Sequence, residues 1–155
     1  MKKIKLSSRS KSSGQGMVIV IILLAVVGAG LWYLSSNKAT TDREAREFAR
    51  EAIKRITVDH DLKYFSDHLG PQARLDNPPS QQQFIIQRFA QLGAPAQPIQ
   101  IEENITWESY FFEPKGYFTA HLNYPAQPVM LQLATSHPVS RWQIDNLSFS
   151  VQPTR

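Results

Sequence analysis

The sequence predicts an α+β fold carried behind one membrane-spanning helix, and three observations predict it. An uncharged apolar run fills residues 17–34, helical periodicities fill 42–93, and alternating, aromatic and β-branched stretches fill the chain after Pro98. The expected architecture is an N-terminal transmembrane helix, then three helices packed on a curved antiparallel sheet of about four strands. The expected divisions are a basic cytoplasmic tail at 1–16, the span at 17–34, a linker at 35–41 and an α+β domain at 42–155.

Charge is distributed to match. Lys2, Lys3, Lys5, Arg9 and Lys11 precede the apolar run with no acid among them, which leaves 12 basic against 13 acidic residues in the rest of the chain. The formal charge of +4 therefore belongs to the tail, and a basic footprint for nucleic acid is missing from the domain. Cysteine is absent, which excludes disulfides, thiolate metal sites and a cysteine nucleophile.

The run MVIVIILLAVVGAGLWYL is 18 residues long. At 1.5 Å per residue it covers about 27 Å, enough to span a hydrocarbon core. The basic tail predicts a cytoplasmic N-terminus, and Trp32 and Tyr33 stand where interfacial aromatics belong at the outer boundary. A cleaved secretory signal wants a shorter apolar stretch and small residues at the cut, which Asn37-Lys38-Ala39 does not supply. Within the span, Ala25, Gly28 and Ala29 form a small-residue cluster, and the four-residue spacing of Ala25 and Ala29 is one that allows helices to approach and self-associate.

Beyond the polar stretch SSNKATT, Asp42 is expected to open a helix whose Ala45, Phe48, Ala49, Ala52, Ile53 and Ile56 recur at three and four residues. Arg43 with Glu47 and Glu51 with Arg55 add pairs four apart on its wet face. The phase breaks at Thr57-Val58-Asp59. A second helix follows, capped by Asp59 or Asp61, presenting Leu62, Phe65 and Leu69 and ending at Gly70-Pro71. Ser80-Gln81-Gln82-Gln83 has capping-box spacing, and Phe84, Ile85, Phe89 and Leu92 follow as the third helix, which stops at Gly93.

Residues 99–112 read as the first strand and Glu113-Pro114-Lys115-Gly116 as a turn. Phe118, Ala120, Leu122 and Tyr124 then alternate with Thr119, His121 and Asn123, the period of a half-buried strand. After a turn at residues 125–128, Val129, Leu131 and Leu133 alternate again. The last strand carries Trp142 and Ile144 in one parity and Leu147, Phe149 and Val151 in the other, which predicts a bulge near Asp145-Asn146.

Two resemblances follow from these residues. The helices opening near Asp42 and near residues 59–62, the helix closing at Leu92-Gly93, and the strand Trp142-x-Ile144 followed by Leu147 and Phe149 resemble the nuclear transport factor two-like superfamily, also described as a cystatin-like, cone-shaped α+β fold. Enzymes of that superfamily line the open cone with Asp, His or Tyr, so the resemblance directs attention to His60, Asp61, Asp67, His68, Tyr110, His121 and Asp145. Separately, Ser13-Gly14-Gln15-Gly16 followed by Met17 resembles the leader junction of minor type IV pilins, which implies cleavage after Gly16. Ile21 stands where most members of that family carry Glu, and the polar linker departs from their unbroken first helix.

His60 and His68 fit no compact zinc-ligand spacing, and nucleophile elbow, phosphate loop and nucleotide fingerprint are all missing. No catalytic residue, cofactor or metal set is assigned. Trp107, Tyr110, Thr119, His121 and Asp145 are the candidates for a pocket or interface. The expected function is a non-catalytic, inner-membrane-anchored periplasmic module of a bacterial envelope complex, binding other envelope proteins in the manner of a secretion-system subunit. The alternatives are a pilus-assembly subunit and an anchored enzyme or small-ligand binder using the cone.

Overall fold

The computed structural model describes residues 13–109, 112–138 and 141–152. The chain divides into two compact units, Met1–Lys38 and Ala39–Arg155. The helix α1 runs from Ser13 to Thr57, 45 residues in all. Among the described residues, Gly16–Thr57 is the one helix long and apolar enough to cross a membrane by length and composition, and none of its apolar window is buried. Aliphatic side chains from Val18 to Leu31 all stand exposed. Such a continuous apolar surface is costly in water and matches a lipid environment.

Residues 35–41, expected to form a linker, are helical. The stretch is polar but holds neither Gly nor Pro, and Ser, Asn and Thr each cost only about half a kcal/mol relative to Ala inside a helix. Asp42 is consequently an interior residue rather than the start of a helix.

In the second unit α1 turns Ala45, Ala49, Ala52, Ile53 and Ile56 inward, each no more than 1% exposed. The small alanines bring this helix close to its neighbours, and the two isoleucines fill the space toward its end. Thr57 closes the helix with its hydroxyl donating to the Ile53 carbonyl at 2.8 Å. Three shorter helices follow: α2 (Leu62–His68), α3 (Pro71–Asp76) and α4 (Pro79–Leu92). Asp61 caps α2 by accepting from the Tyr64 amide at 2.9 Å.

Gly70-Pro71, expected as a terminator, also starts α3, because proline at the first helical position loses no hydrogen bond that a helix would have made. Gly70 further permits a close approach: a Cβ there would lie 2.8 Å from Gln143 Nε2. Ser80 does not cap α4. Pro78 occupies the cap position, and Gln82 Nε2 donates back to the Asn77 carbonyl at 2.8 Å. The buried stripe of α4 is Gln82, Ile85, Ile86 and Phe89. Phe84, expected inside, is 49% exposed, since it falls outside that stripe, and its ring lies under the Arg88 guanidinium.

The sheet comprises β1 (Gln100–Ser109), β2 (Phe112–Asn123), β3 (Pro128–Ser136) and β4 (Gln143–Val151). All pairs are antiparallel and the order is β1-β2-β3-β4. Phe118, Ala120 and Leu122 of β2, Val129, Leu131 and Leu133 of β3, and Ile144 and Leu147 of β4 form the buried face. The bulge is where the parity change requires it: Thr135 pairs with Ile144 and Ala134 with Asn146, leaving Asp145 as the extra residue. Glu113-Pro114-Lys115-Gly116, expected to turn, lies inside β2, with Pro114 opposite Trp107 and Gly116 opposite Ile105.

Tyr124 joins the sheet to α1, its hydroxyl donating to the Thr57 carbonyl at 3.4 Å. Burial pushes the phenols of Tyr64 and Tyr124 up to about 12, with Glu51 adding to the effect at Tyr64. The folded protein thus holds protons that the unfolded chain, with phenols near 10, has already released. This contribution to stability is complete below pH 10 and is lost as the pH rises toward 12. Urea midpoints measured from pH 9 to pH 12 are expected to fall, and Tyr124→Phe is expected to flatten that fall; an unchanged slope in the variant would contradict the assignment.

Candidate functional site

The polar face of α1 in the second unit lies against the helix-facing row of β1. Trp107 Nε1 donates to Asp42 Oδ1 at 3.0 Å, and Arg46 Nε donates to Glu103 Oε1 at 2.6 Å. Arg43 pairs with Glu47 at 3.7 Å, while Arg55 sits 3.6 Å from both Glu51 and Asp61 and lies over the Tyr64 ring. Further along, Arg50, Ile53 and Lys54 of α1 face Gln97, Ile99 and Ile101 across a groove of about 420 Å³. The groove has an isoleucine floor and two cations on its rim, and among the described residues no acidic side chain lines it.

The residues singled out from the sequence do not converge. Trp107 belongs to the α1–β1 seam through Asp42. Thr119 and His121 lie on the sheet face opposite the buried residues of β2, as the alternation predicts. Thr119 lines a shallow depression of about 290 Å³ with Tyr117, Gln132, Asn146 and Ser148, which His121 does not enter. His121 instead reaches Glu102 at 3.4 Å. Asp145 is on β4, the edge strand opposite β1, accepting from Gln143 Nε2 at 2.9 Å beside Gly70. Tyr110 lies outside the described residues.

The helix-side candidates are similarly occupied with local structure. Asp61 is the cap of α2. Asp67 accepts from Lys63, whose ammonium holds its carboxyl below the usual range. His68 Nδ1 lies 2.8 Å from the Tyr64 carbonyl, and its ring stacks on Tyr64 at 4.0 Å. His60 adopts a positive φ of 53°, and its Nε2 is buried with no hydrogen-bond partner among the described residues. No three His, Cys, Asp or Glu side chains among the described residues form a group able to hold a metal ion. Ala25, Gly28 and Ala29 stand exposed on α1, with open space around Gly28 and likewise around Gly16.

Sequence reading did not single out Arg50 and Lys54. Their signal was present as the row Arg46, Arg50, Lys54 at intervals of four, three like charges on one helix face. Compared with known proteins, the chain matches no family model, no curated protein and no solved structure.

Proposed function

We propose that this chain is a non-catalytic assembly subunit of a bacterial envelope complex, anchored in the inner membrane by α1 and binding other envelope proteins through its α+β domain in the periplasm. The observation that carries this reading is the exposed apolar stretch of Gly16–Thr57, joined in one chain to a domain with its own core. The all-basic tail before that stretch supports a cytoplasmic N-terminus. The dispersal of the candidates, with Asp61 in a cap, Trp107 in the α1–β1 seam, His121 beside Glu102 and Asp145 bonded to Gln143, supports binding over chemistry. The nuclear transport factor two-like resemblance belongs to the same reading, as a fold used for docking surface rather than for an open catalytic cone.

A second reading is favoured by one specific observation. Residues 35–41 are helical, so the departure from the unbroken first helix of pilin-like subunits is removed. With Ser13-Gly14-Gln15-Gly16 ahead of Met17, this favours a minor pilin-like subunit cleaved after Gly16, in which Ile21 still stands in place of the usual Glu.

Intact mass of the chain taken from its native membrane separates the two. The anchored reading expects the full-length mass and migration well above the monomer on a blue native gel. Loss of residues 1–16 would replace it with the pilin-like reading, and a full-length chain migrating as a monomer would sink both.

A further inference from the structure

Given a protein-binding role for the domain, we propose that the groove between α1 and β1 receives an extended acidic segment of a partner protein, an inference that rests on that reading. The segment adds as a strand beside β1, and its carboxylates meet Arg50 and Lys54.

The row Arg46, Arg50, Lys54 places like charges one turn apart, a spacing that by itself weakens a helix. The fold answers the first of them with Glu103 of β1, at 2.6 Å. It leaves the other two above Ile99 and Ile101, where no acid among the described residues lines the groove. Among the described residues Arg50 and Lys54 make no ion pair, whereas Arg43, Arg46 and Arg55 each do. Ile99 just before β1 and the helix-facing Ile101, Glu103 and Ile105 within it form one row, so an acid supplied from outside would continue the pattern that Glu103 begins.

The backbone of β1 supports the same occupant. β1 is an edge of the sheet, and among the described residues its other neighbour position carries no strand. The opposite edge, β4, is partly closed: Leu69 bridges Ile144, and the Gly70 amide donates to the Ile144 carbonyl at 2.8 Å. An added strand pairs along the outer edge of β1 beside Ile101 and turns alternate side chains toward α1. Along that row the groove selects acidic residues for the two cations and small apolar ones for Ile53, Ile99 and Ile101. An anionic lipid headgroup would use the cations but neither the strand edge nor the apolar floor.

The test uses the full chain in neutral detergent micelles. The probe is a fluorescein-labelled peptide of about eight residues, the length of an ordinary strand, whose alternate positions are Glu and Val and whose remaining positions are Thr. A second probe replaces Glu with Lys. The Glu peptide is expected to bind and the Lys peptide to bind about tenfold or more weakly; the double reversal R50E/K54E is expected to invert that order. N-methylating alternate amides of the Glu peptide is expected to abolish binding in one phase and spare it in the other, as strand pairing requires. Equal binding of the two peptides, or an order unchanged in R50E/K54E, overturns the proposal. So does peptide binding that both N-methylated phases retain, or displacement of the Glu peptide by phosphatidylglycerol but not by excess unlabelled peptide. A native complex that persists in R50E/K54E alongside any of these failures would leave the assembly role standing and remove the groove from it.

Discussion

Phe118→Ala is expected to lower the stability of the folded domain by about 3–5 kcal/mol, the usual cost of deleting a buried aromatic ring. Phe118 is 2% exposed and stands in the middle of β2, so its ring is covered by the helices on the buried face of the sheet. That ring also explains Gly116. A Cβ at Gly116 would lie 2.5 Å from Phe118 Cε2 and 2.8 Å from Thr135 Oγ1. The Phe118 ring is locked in the core and cannot yield, so Gly116→Ala is expected to cost about 1–3 kcal/mol as overpacking. The two effects share a cause and will not add. In a Phe118→Ala background the shortest contact of the Gly116 methyl is removed and the Thr135 hydroxyl remains, so the double variant is expected to be more stable than the sum of the singles by about 1 kcal/mol or more. Urea denaturation of the four proteins closes the cycle; strict additivity would mean that the ring does not occupy the space above Gly116.

Gly116 also shows where the sequence is ambiguous. Pro114 and Gly116 are turn residues by composition, yet both sit in a strand for separate physical reasons. Pro114 pairs only with Trp107, because the β3 partners begin at Lys115, and there its missing amide goes unused. Gly116 is required for space and not for a positive φ, a demand that local sequence cannot reveal. The buried alternation of β2 and β3 and the face of α1 from Ala45 to Ile56 were legible, because burial on one side imposes a period directly. The bulge at Asp145 was legible too, since a parity switch inside a strand admits few other resolutions.

The boundaries were less so. Residues 35–41 are polar without being helix breakers, and polarity just after an apolar run resembles a linker. Gly70-Pro71 stops one helix and starts another with the same two residues. The groove was hidden differently. Arg50 and Lys54 become informative only once Glu103 is seen to neutralise Arg46 across 57 residues of chain, and such long-range pairing leaves no mark on periodicity. His121 and Asp145 share only their chemistry, and residue type says nothing about which strand of a sheet a side chain occupies.

The second large effect concerns the span. Its eleven Val, Ile and Leu residues between Val18 and Leu34 contribute about 3–7 kcal/mol toward insertion at about 0.3–0.6 each. One arginine near the centre costs about 2.5–3.5 kcal/mol, so Val26→Arg alone is expected to bring insertion close to balance and leave the chain divided between membrane and soluble fractions. Adding Ile22→Arg, one turn away, raises the cost to about 5–7 kcal/mol and is expected to release the chain from membranes washed with alkaline carbonate. Both side chains are more than half exposed on α1, so neither substitution disturbs a protein core. Leu75→Arg supplies the control: Leu75 is 76% exposed on α3, and the change is expected to alter neither membrane retention nor stability by more than about 0.5 kcal/mol. Should I22R/V26R remain with the washed membranes at the wild-type level, the residues 17–34 would not be what holds this protein there.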